Sequence, residues 1–295
     1  MADPAPTPSA VAEGPKPRPG VPTVIGHGIV RLTAPNPSMM TGPGTNTYLI
    51  GEDELLVVDP GPNDRAHRRR ILDVVAGRPV VAVAVTHNHP DHAPGAAKLA
   101  AAVAAPVLGF APGPAITPDE RLVDGDELAC GSHRLRVIHT PGHAAEHCCF
   151  FVEEQDLLLT GDHVMEGSTV VIRPPEGDMA AYLSSLALLL SIEPPMRAIA
   201  PGHGRVITDP QRAVGDLVAH RLWREERILE ALRTAGPSSP EELRAIAYPG
   251  LDSPRHEIAA VTLWAHLRRL VSLGLVTADG VEPGADDVTT VFSLL

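Results

Sequence analysis

Apolar residues fall along this chain in two textures that change near residue 209. Before that point, short runs of Val, Ile, Leu and Ala are bounded by Gly, Pro, Asn or Asp. The runs at 24–32, 46–51, 55–59, 80–85, 127–129, 133–139, 148–153, 157–160 and 197–200 predict strands. Between them, apolar positions recurring every three or four residues predict helices over 65–76, 95–105 and 180–191, the second stopped at Pro106. Strands alternating with helices place the chain in the α/β (α+β) class.

After residue 209 the pattern becomes helical. A long amphipathic helix is predicted over 211–235. Ser239-Pro240-Glu241-Glu242 reads as a helix start, with a Ser cap and acids in the first turn. A third helix over 254–273 stops near Gly274, and 275–276 with 288–292 flank a Gly/Asp/Pro loop as a hairpin. Helix, helix, helix, hairpin is the order of a winged-helix module. From Asp216 onward, eight arginines face twelve acidic residues, a net charge of minus four. A face gripping duplex DNA should be basic, so packing or homodimerisation is the expected role. The first 20 residues carry six prolines and predict a disordered tail. The expected division is tail 1–20, main domain 21–209 and C-terminal module 210–295.

Composition narrows the setting. The 295 residues are 44% hydrophobic with a mean hydropathy of +0.04, which describes a soluble globular protein. Aromatics make up only 3%, so the core rests on Val, Leu, Ile and Ala. A net charge of −12 argues against broad nucleic-acid binding. The most apolar stretch, 180–192, is too short to span a bilayer and contains Ser184, Ser185 and Ser191. No basic-then-apolar leader is visible, and the odd set Cys130, Cys148 and Cys149 suits a reducing cytoplasm. Only two of 24 basic residues are lysines, the bias of a GC-rich, bacterial genome.

The candidate chemistry sits where strands end. The apolar run 80–85 leads into Thr86-His87-Asn88-His89-Pro90-Asp91-His92, three imidazoles and a carboxylate within six residues. Three further strand ends carry Thr140-Pro141-Gly142-His143, Thr160-Gly161-Asp162 and Pro201-Gly202-His203-Gly204. Each sets one potential ligand beside a glycine that permits close approach. Neutral imidazole and carboxylate suit zinc and similar borderline ions, which can generate hydroxide near neutral pH.

These motifs resemble the metallo-β-lactamase superfamily across residues 21–209. The resemblance implies a four-layered αββα sandwich with two divalent metal ions at one sheet edge. It assigns His87, His89 and His143 to the first ion, Asp91, His92 and His203 to the second, and Asp162 to a bridge between them. Asp59, in Val57-Val58-Asp59-Pro60-Gly61, matches a strand-end Asp that supports the ligands. An Asp rather than a Cys at 162 marks hydrolases of the superfamily other than the commonest zinc lactamases. His89, where the diiron branch carries Glu, makes zinc the expected ion, with iron or manganese as alternatives.

Further matches are Gly44 to Gly51, Glu166-Gly167-Ser168-Thr169, Tyr182 to Leu186, and His220-Arg221 with Arg224-Glu225. They are similar to the family of β-lactamase-like protein two, which ends in a winged-helix-like domain. The implied activity is hydrolysis by a metal-bridging hydroxide, with Asp91 also orienting it or taking its proton. Two substrate classes follow: single-stranded RNA or another phosphodiester, and a thioester or ester on a small molecule or carrier protein. Only 40 residues separate Asp162 from His203, which leaves no room for the large clamp domain of RNA-processing relatives. A third, non-enzymatic interaction role is disfavoured by the complete ligand set. Asn46, Thr169 and His220 are expected near the pocket, and His139 or His147 behind the ligands. His27, His67, His133, His256 and His266 are expected on the surface or in the core, and His163 is expected to point away.

Overall fold

The computed structural model describes residues 12–250, 253–279 and 290–295. Two seven-stranded sheets form the centre. In chain order the strands are β1 (Ala12–Glu13), β2 (Thr23–Gly26), β3 (Ile29–Thr33), β4 (Asn46–Ile50), β5 (Leu55–Val58), β6 (Val80–Ala84), β7 (Val107–Gly109) and β8 (Glu120–Arg121). There follow β9 (Glu127–Cys130), β10 (His133–His139), β11 (Cys148–Val152), β12 (Leu157–Gly161), β13 (Ala198–Pro201) and β14 (Val206–Ile207). One sheet runs β2 to β8 in sequence order; the other runs β1-β14-β13-β12-β11-β10-β9.

Alternation explains the layers. Successive side chains of a strand face opposite ways, so a strand covered on both sides is apolar throughout. Tyr48, Leu56, Val58, Phe150 and Leu159 point between the sheets and form the central core. Leu49, Val57 and Val83 point outward against Ile71, Val75 and Leu99 of α1 (Arg65–Val75) and α2 (Ala96–Val103). On the other side, Phe151, Leu158 and Ile199 meet Tyr182, Leu186 and Leu217 of α3 (Met179–Leu190) and α4 (Pro210–Ala235). Helix, sheet, sheet, helix is the αββα sandwich that the resemblance implied.

The topology sets the functional edge. Strands β5 and β6 are parallel, as are β12 and β13, whereas most other neighbours are antiparallel. Parallel neighbours end at the same edge of their sheet, so Asp59 follows β5 beside the 86–92 loop after β6. In the same way Asp162 follows β12 beside the 201–204 loop after β13.

The C-terminal region has its own core, in which Ile228, Leu232, Leu243, Leu263, Leu267, Val276 and Phe292 meet. It comprises the second half of α4, α5 (Pro240–Ala247), α6 (Ser253–Ser272) and the hairpin β15 (Val276–Asp279) with β16 (Val291–Leu294). The side chain of Ser239 caps α5 and Glu242 returns the bond, as the Ser-Pro-Glu-Glu signature predicts. Helix α4 belongs to both cores, because Ala213, Val214 and Leu217 lie in the sandwich core and Ile228 and Leu232 in the C-terminal one. A division at residue 209 therefore cuts ahead of a helix that the two regions share.

Three expectations change. Residues 24–32 fold as a hairpin, with Val24 paired to Val30 and Gly28 at φ +61° in the turn, a conformation disfavoured for residues with a Cβ. Residues 12–20, expected within a disordered tail, are held against the sandwich instead. Ala12 and Glu13 pair with Ile207 and Val206, and Arg31 donates a 2.9 Å bond to the Pro15 carbonyl; residues 1–11 lie outside the described residues. The short strands β7, β8 and β14 went unpredicted, because two or three residues carry no periodicity. No helix among the described residues is long and apolar enough to cross a membrane.

Candidate metal centre

Six of the seven predicted ligands come from loops at one edge of the sandwich, and the seventh, Asp162, directly follows β12. Ligand atoms of His87, His89 and His143 lie within 4.8 Å of one another, and so do those of Asp91, His92, Asp162 and His203. The resemblance sets His87, His89 and His143 apart from Asp91, His92 and His203 with Asp162 as a bridge; here Asp162 gathers with the latter three. Asp162 faces both: Oδ1 is 3.3 Å from His92 Nε2 and 3.2 Å from His203 Nε2, and Oδ2 is 3.7 Å from His143 Nε2.

Groups behind the histidines set their orientation. His87 Nδ1 lies 2.9 Å from Thr86 Oγ1, which itself donates to Asp59 Oδ2 at 2.8 Å, so the imidazole is the donor. His92 Nδ1 donates to Asp59 Oδ2 at 2.8 Å. His143 Nδ1 donates to the Val171 carbonyl at 2.8 Å and His203 Nδ1 to the Gly44 carbonyl at 3.3 Å. A proton held at Nδ1 leaves the Nε2 lone pair directed into the cluster, the arrangement a metal ligand needs. Asp59, 2% exposed, also accepts from the Thr86 amide at 2.8 Å, so it braces two ligands at once.

Among the described residues, several buried atoms of the cluster have no hydrogen-bond partner: His87 Nε2, His92 Nε2 and Asp162 Oδ1. Buried polar atoms are normally satisfied, and imidazole and carboxylate atoms left open in this way suit divalent cations. Electrostatics agree. Burial works to lower the pKa of His203, but Asp162 and Asp91 outweigh it and hold it up at about 9. Burial works to raise Asp162, and His92 and His203 outweigh it in the other direction. The carboxylates thus draw positive charge into the space between the imidazoles. Gly202 leaves this space open, since a Cβ there would meet Asp162 Oδ1 and His92 Cε1, each at 2.7 Å.

The remaining predicted residues divide. Asn46 is fully buried and does not line the pocket; its amide donates to the carbonyls of Pro201 (3.0 Å) and Gly204 (2.9 Å) and pins the His203 loop. Thr169 and His220 line an adjoining cavity rather than the one at the cluster. His147 sits behind His87 at a ring separation of 5.0 Å, whereas His139 stacks on Phe110 away from the ligands. His163 packs against Tyr182, outside the cluster, as expected. Sequence reasoning missed Thr45, whose hydroxyl donates to Asp91 Oδ2 at 3.2 Å, and Glu176, whose carboxylate is 3.3 Å from His89 Nε2. Thr45 stands one residue from the quoted Asn46, but no pattern pointed to its contact 46 positions away.

The profile of the metallo-beta-lactamase superfamily matches residues 40–203. The chain belongs to this superfamily. An atrochrysone carboxyl ACP thioesterase of Aspergillus chevalieri is 33% identical over 209 residues, which cover 70% of this chain and 66% of that protein, just under two thirds of its length. The beta-lactamase-like protein 2 homolog of Drosophila melanogaster is 30% identical over 226 residues, covering 70% of this chain and 75% of that protein. A beta-lactamase domain protein from Burkholderia ambifaria shares the fold with a TM-score of 0.78 at 23% identity, covering 94% and 95% of the two chains. The chain is thus a member of this superfamily with a His/Asp cluster suited to a pair of metal ions.

Proposed function

We propose that the protein hydrolyses thioesters of small-molecule or carrier-bound acyl groups, using two divalent ions, with zinc as the physiological metal. His87, His89 and His143 would hold one ion, Asp91, His92 and His203 the other, and Asp162 would bridge them. When bound, such ions supply a nucleophile from water at neutral pH and neutralise the negative charge that develops on the carbonyl oxygen. Thr45 fixes the Asp91 carboxylate through Oδ2, so that Asp91 can orient the attacking water and accept its proton. Water adds to the acyl carbon, the carbon–sulfur bond breaks, and the products are a carboxylic acid and a thiol.

One observation carries the choice of substrate. The cavity of about 580 Å³ beside the cluster is walled by Met40, Pro62, Met165 and Val170, with Arg173 as its one basic residue among the described residues apart from the histidines, and with Glu176 beside His89. An apolar acyl chain fits such a wall, whereas a polyphosphate backbone needs a basic track. The net charge of −12 points the same way, as do relatives named as carrier-protein thioesterases. Single-stranded RNA, the other class implied by the motifs, is the competing outcome of the test. We read the C-terminal helices and hairpin as a winged-helix-like packing module. A reducing cytoplasm suits the three free, buried cysteines.

The test is a turnover panel with zinc-loaded protein: an acyl-pantetheine, bis-p-nitrophenyl phosphate, a single-stranded RNA and a β-lactam. Thioester hydrolysis abolished by Asp162→Ala, with circular dichroism unchanged, is the expected result. Cleavage of RNA without thioester turnover overturns it.

A further inference from the structure

The cavity at the cluster shares the wall formed by Met40, Met165, Val170 and Val171 with a second cavity of about 390 Å³, which extends toward the C-terminal helices. The far end of this second cavity is polar. His220, Arg221 and Tyr248 line it at 9%, 1% and 7% exposure, and each holds an atom without a hydrogen-bond partner among the described residues: Nδ1, Nε and Oη respectively. Arg224 lines it too, lying 4.8 Å from the Trp223 ring and 4.4 Å from the Tyr248 ring.

Among the described residues, no carboxylate lines this cavity beside the arginines. Arg221 donates to the Val170 carbonyl and lies over the Tyr182 ring, and Arg224 donates to the Ala247 carbonyl. Glu225, the acidic neighbour in sequence, turns away to Arg269 and His266. By contrast, Arg205 is paired with Glu166. Two guanidiniums beside unfilled donors are costly to desolvate unless an anion meets them, and their forked geometry suits phosphate and carboxylate. Burial, with Arg221 and Arg224 adding to it, lowers His220 to about 4, so near neutral pH it offers a neutral ring.

The two cavities are mechanically joined. The Val170 carbonyl accepts from Arg221, and the carbonyl of the next residue, Val171, accepts from His143. A ligand anchored by the arginines therefore lies against the same dipeptide that orients a cluster histidine. We propose that His220, Arg221, Arg224 and Tyr248 form a subsite for the anionic group, phosphate or carboxylate, on the thiol portion of a thioester whose acyl carbon lies at the metal cluster. This deepens the thioesterase reading and rests on it for the reaction, though not for the binding of the anion.

The test compares one acyl group on three thiols with the zinc-loaded full chain: pantetheine, which is uncharged; 4′-phosphopantetheine, which carries phosphate; and glutathione, which carries carboxylates. At least one anionic thioester should show a kcat/KM roughly tenfold or more above acyl-pantetheine, expressed in KM. Arg224→Gln and Tyr248→Phe, the latter losing a single hydroxyl, should each shrink that advantage to a few-fold. Preference for phosphate or for carboxylate identifies the source of the anion. Equal kcat/KM for all three in the unmodified protein overturns the proposal. Titration calorimetry with free 4′-phosphopantetheine and with inorganic phosphate separates the two claims. If no thioester turns over, the thioesterase reading fails, while phosphate binding weakened in Arg224→Gln still supports the subsite. Phosphate binding that Arg224→Gln leaves unchanged overturns it.

Discussion

Replacing Asp59 by Asn removes a charge behind the metal ligands without removing the side chain. The backbone there has φ +50°, a conformation Asn tolerates, so the turn survives the change. Asp59 accepts three bonds: Oδ1 from the Thr86 amide, and Oδ2 from the Thr86 hydroxyl and from His92 Nδ1, all at 2.8 Å. An amide supplies only one acceptor oxygen. If its nitrogen takes the place of Oδ1 it meets the Thr86 N–H, and if it takes the place of Oδ2 it meets His92 Nδ1–H. Either way a buried donor loses its acceptor, at a cost of about 1–3 kcal/mol in stability. Loss of a support of this kind lowers metal affinity by about 10- to 100-fold, or roughly 1.4–2.7 kcal/mol. The effect should fall on the ion held by His92, and less on the one held by His87, whose contact with Asp59 passes through Thr86. Competition against a chromogenic zinc chelator, with metal content measured by mass spectrometry, should show one weakened site and one retained. Two sites of unmodified affinity in a folded Asp59→Asn protein would refute the reasoning.

Three further outcomes follow from single positions. Gly202→Ala places a methyl 2.7 Å from Asp162 Oδ1 and His92 Cε1, so metal uptake measured by calorimetry should fall at least tenfold while circular dichroism stays constant; full uptake contradicts the geometry. His67 is held down at about 4 by burial, and its Nε2 donates to Thr47 Oγ1. Its folded-state pKa lies below the unfolded value, so its stabilisation is complete above about pH 6.5 and is lost as pH falls toward 4. Of the stability lost between pH 7.5 and pH 5, about 2 kcal/mol should vanish in His67→Gln, and an unchanged pH slope in urea unfolding contradicts this. Phe292→Ala empties the centre of the C-terminal core, where the ring lies 5.5 Å from Trp264, and should cost about 3–5 kcal/mol. Thermal unfolding with an unshifted midpoint would exclude that role.

The ligands were legible because each follows a short apolar strand and stands beside a glycine or within the dense 86–92 loop. Their division into two groups came from the resemblance, which set Asp162 between them, whereas the structure gathers Asp162 with Asp91, His92 and His203. What escaped was tertiary. Thr45 reaches Asp91 only because Asn46 carries the chain past the His203 loop, where the Asn46 amide donates to the Gly202 carbonyl at 2.7 Å. Asn46 itself was expected in the pocket, yet a buried amide is worth more tying two carbonyls together than facing a ligand. The cluster His220-Arg221 with Arg224 was visible as a motif, but that no carboxylate among the described residues lines its cavity emerges only when Glu225 is seen to turn toward α6. The hairpin within 24–32 carried a turn signal, Gly26-His27-Gly28 between two apolar pairs, which a reading of 24–32 as one strand passes over.

Titration of zinc into chelator-treated protein, with thioester hydrolysis followed at each addition, tests the central claim most directly. Activity should be absent without metal, rise with added zinc and level off at two equivalents per chain. Thioester turnover by the metal-free protein, or none at two equivalents, would contradict it.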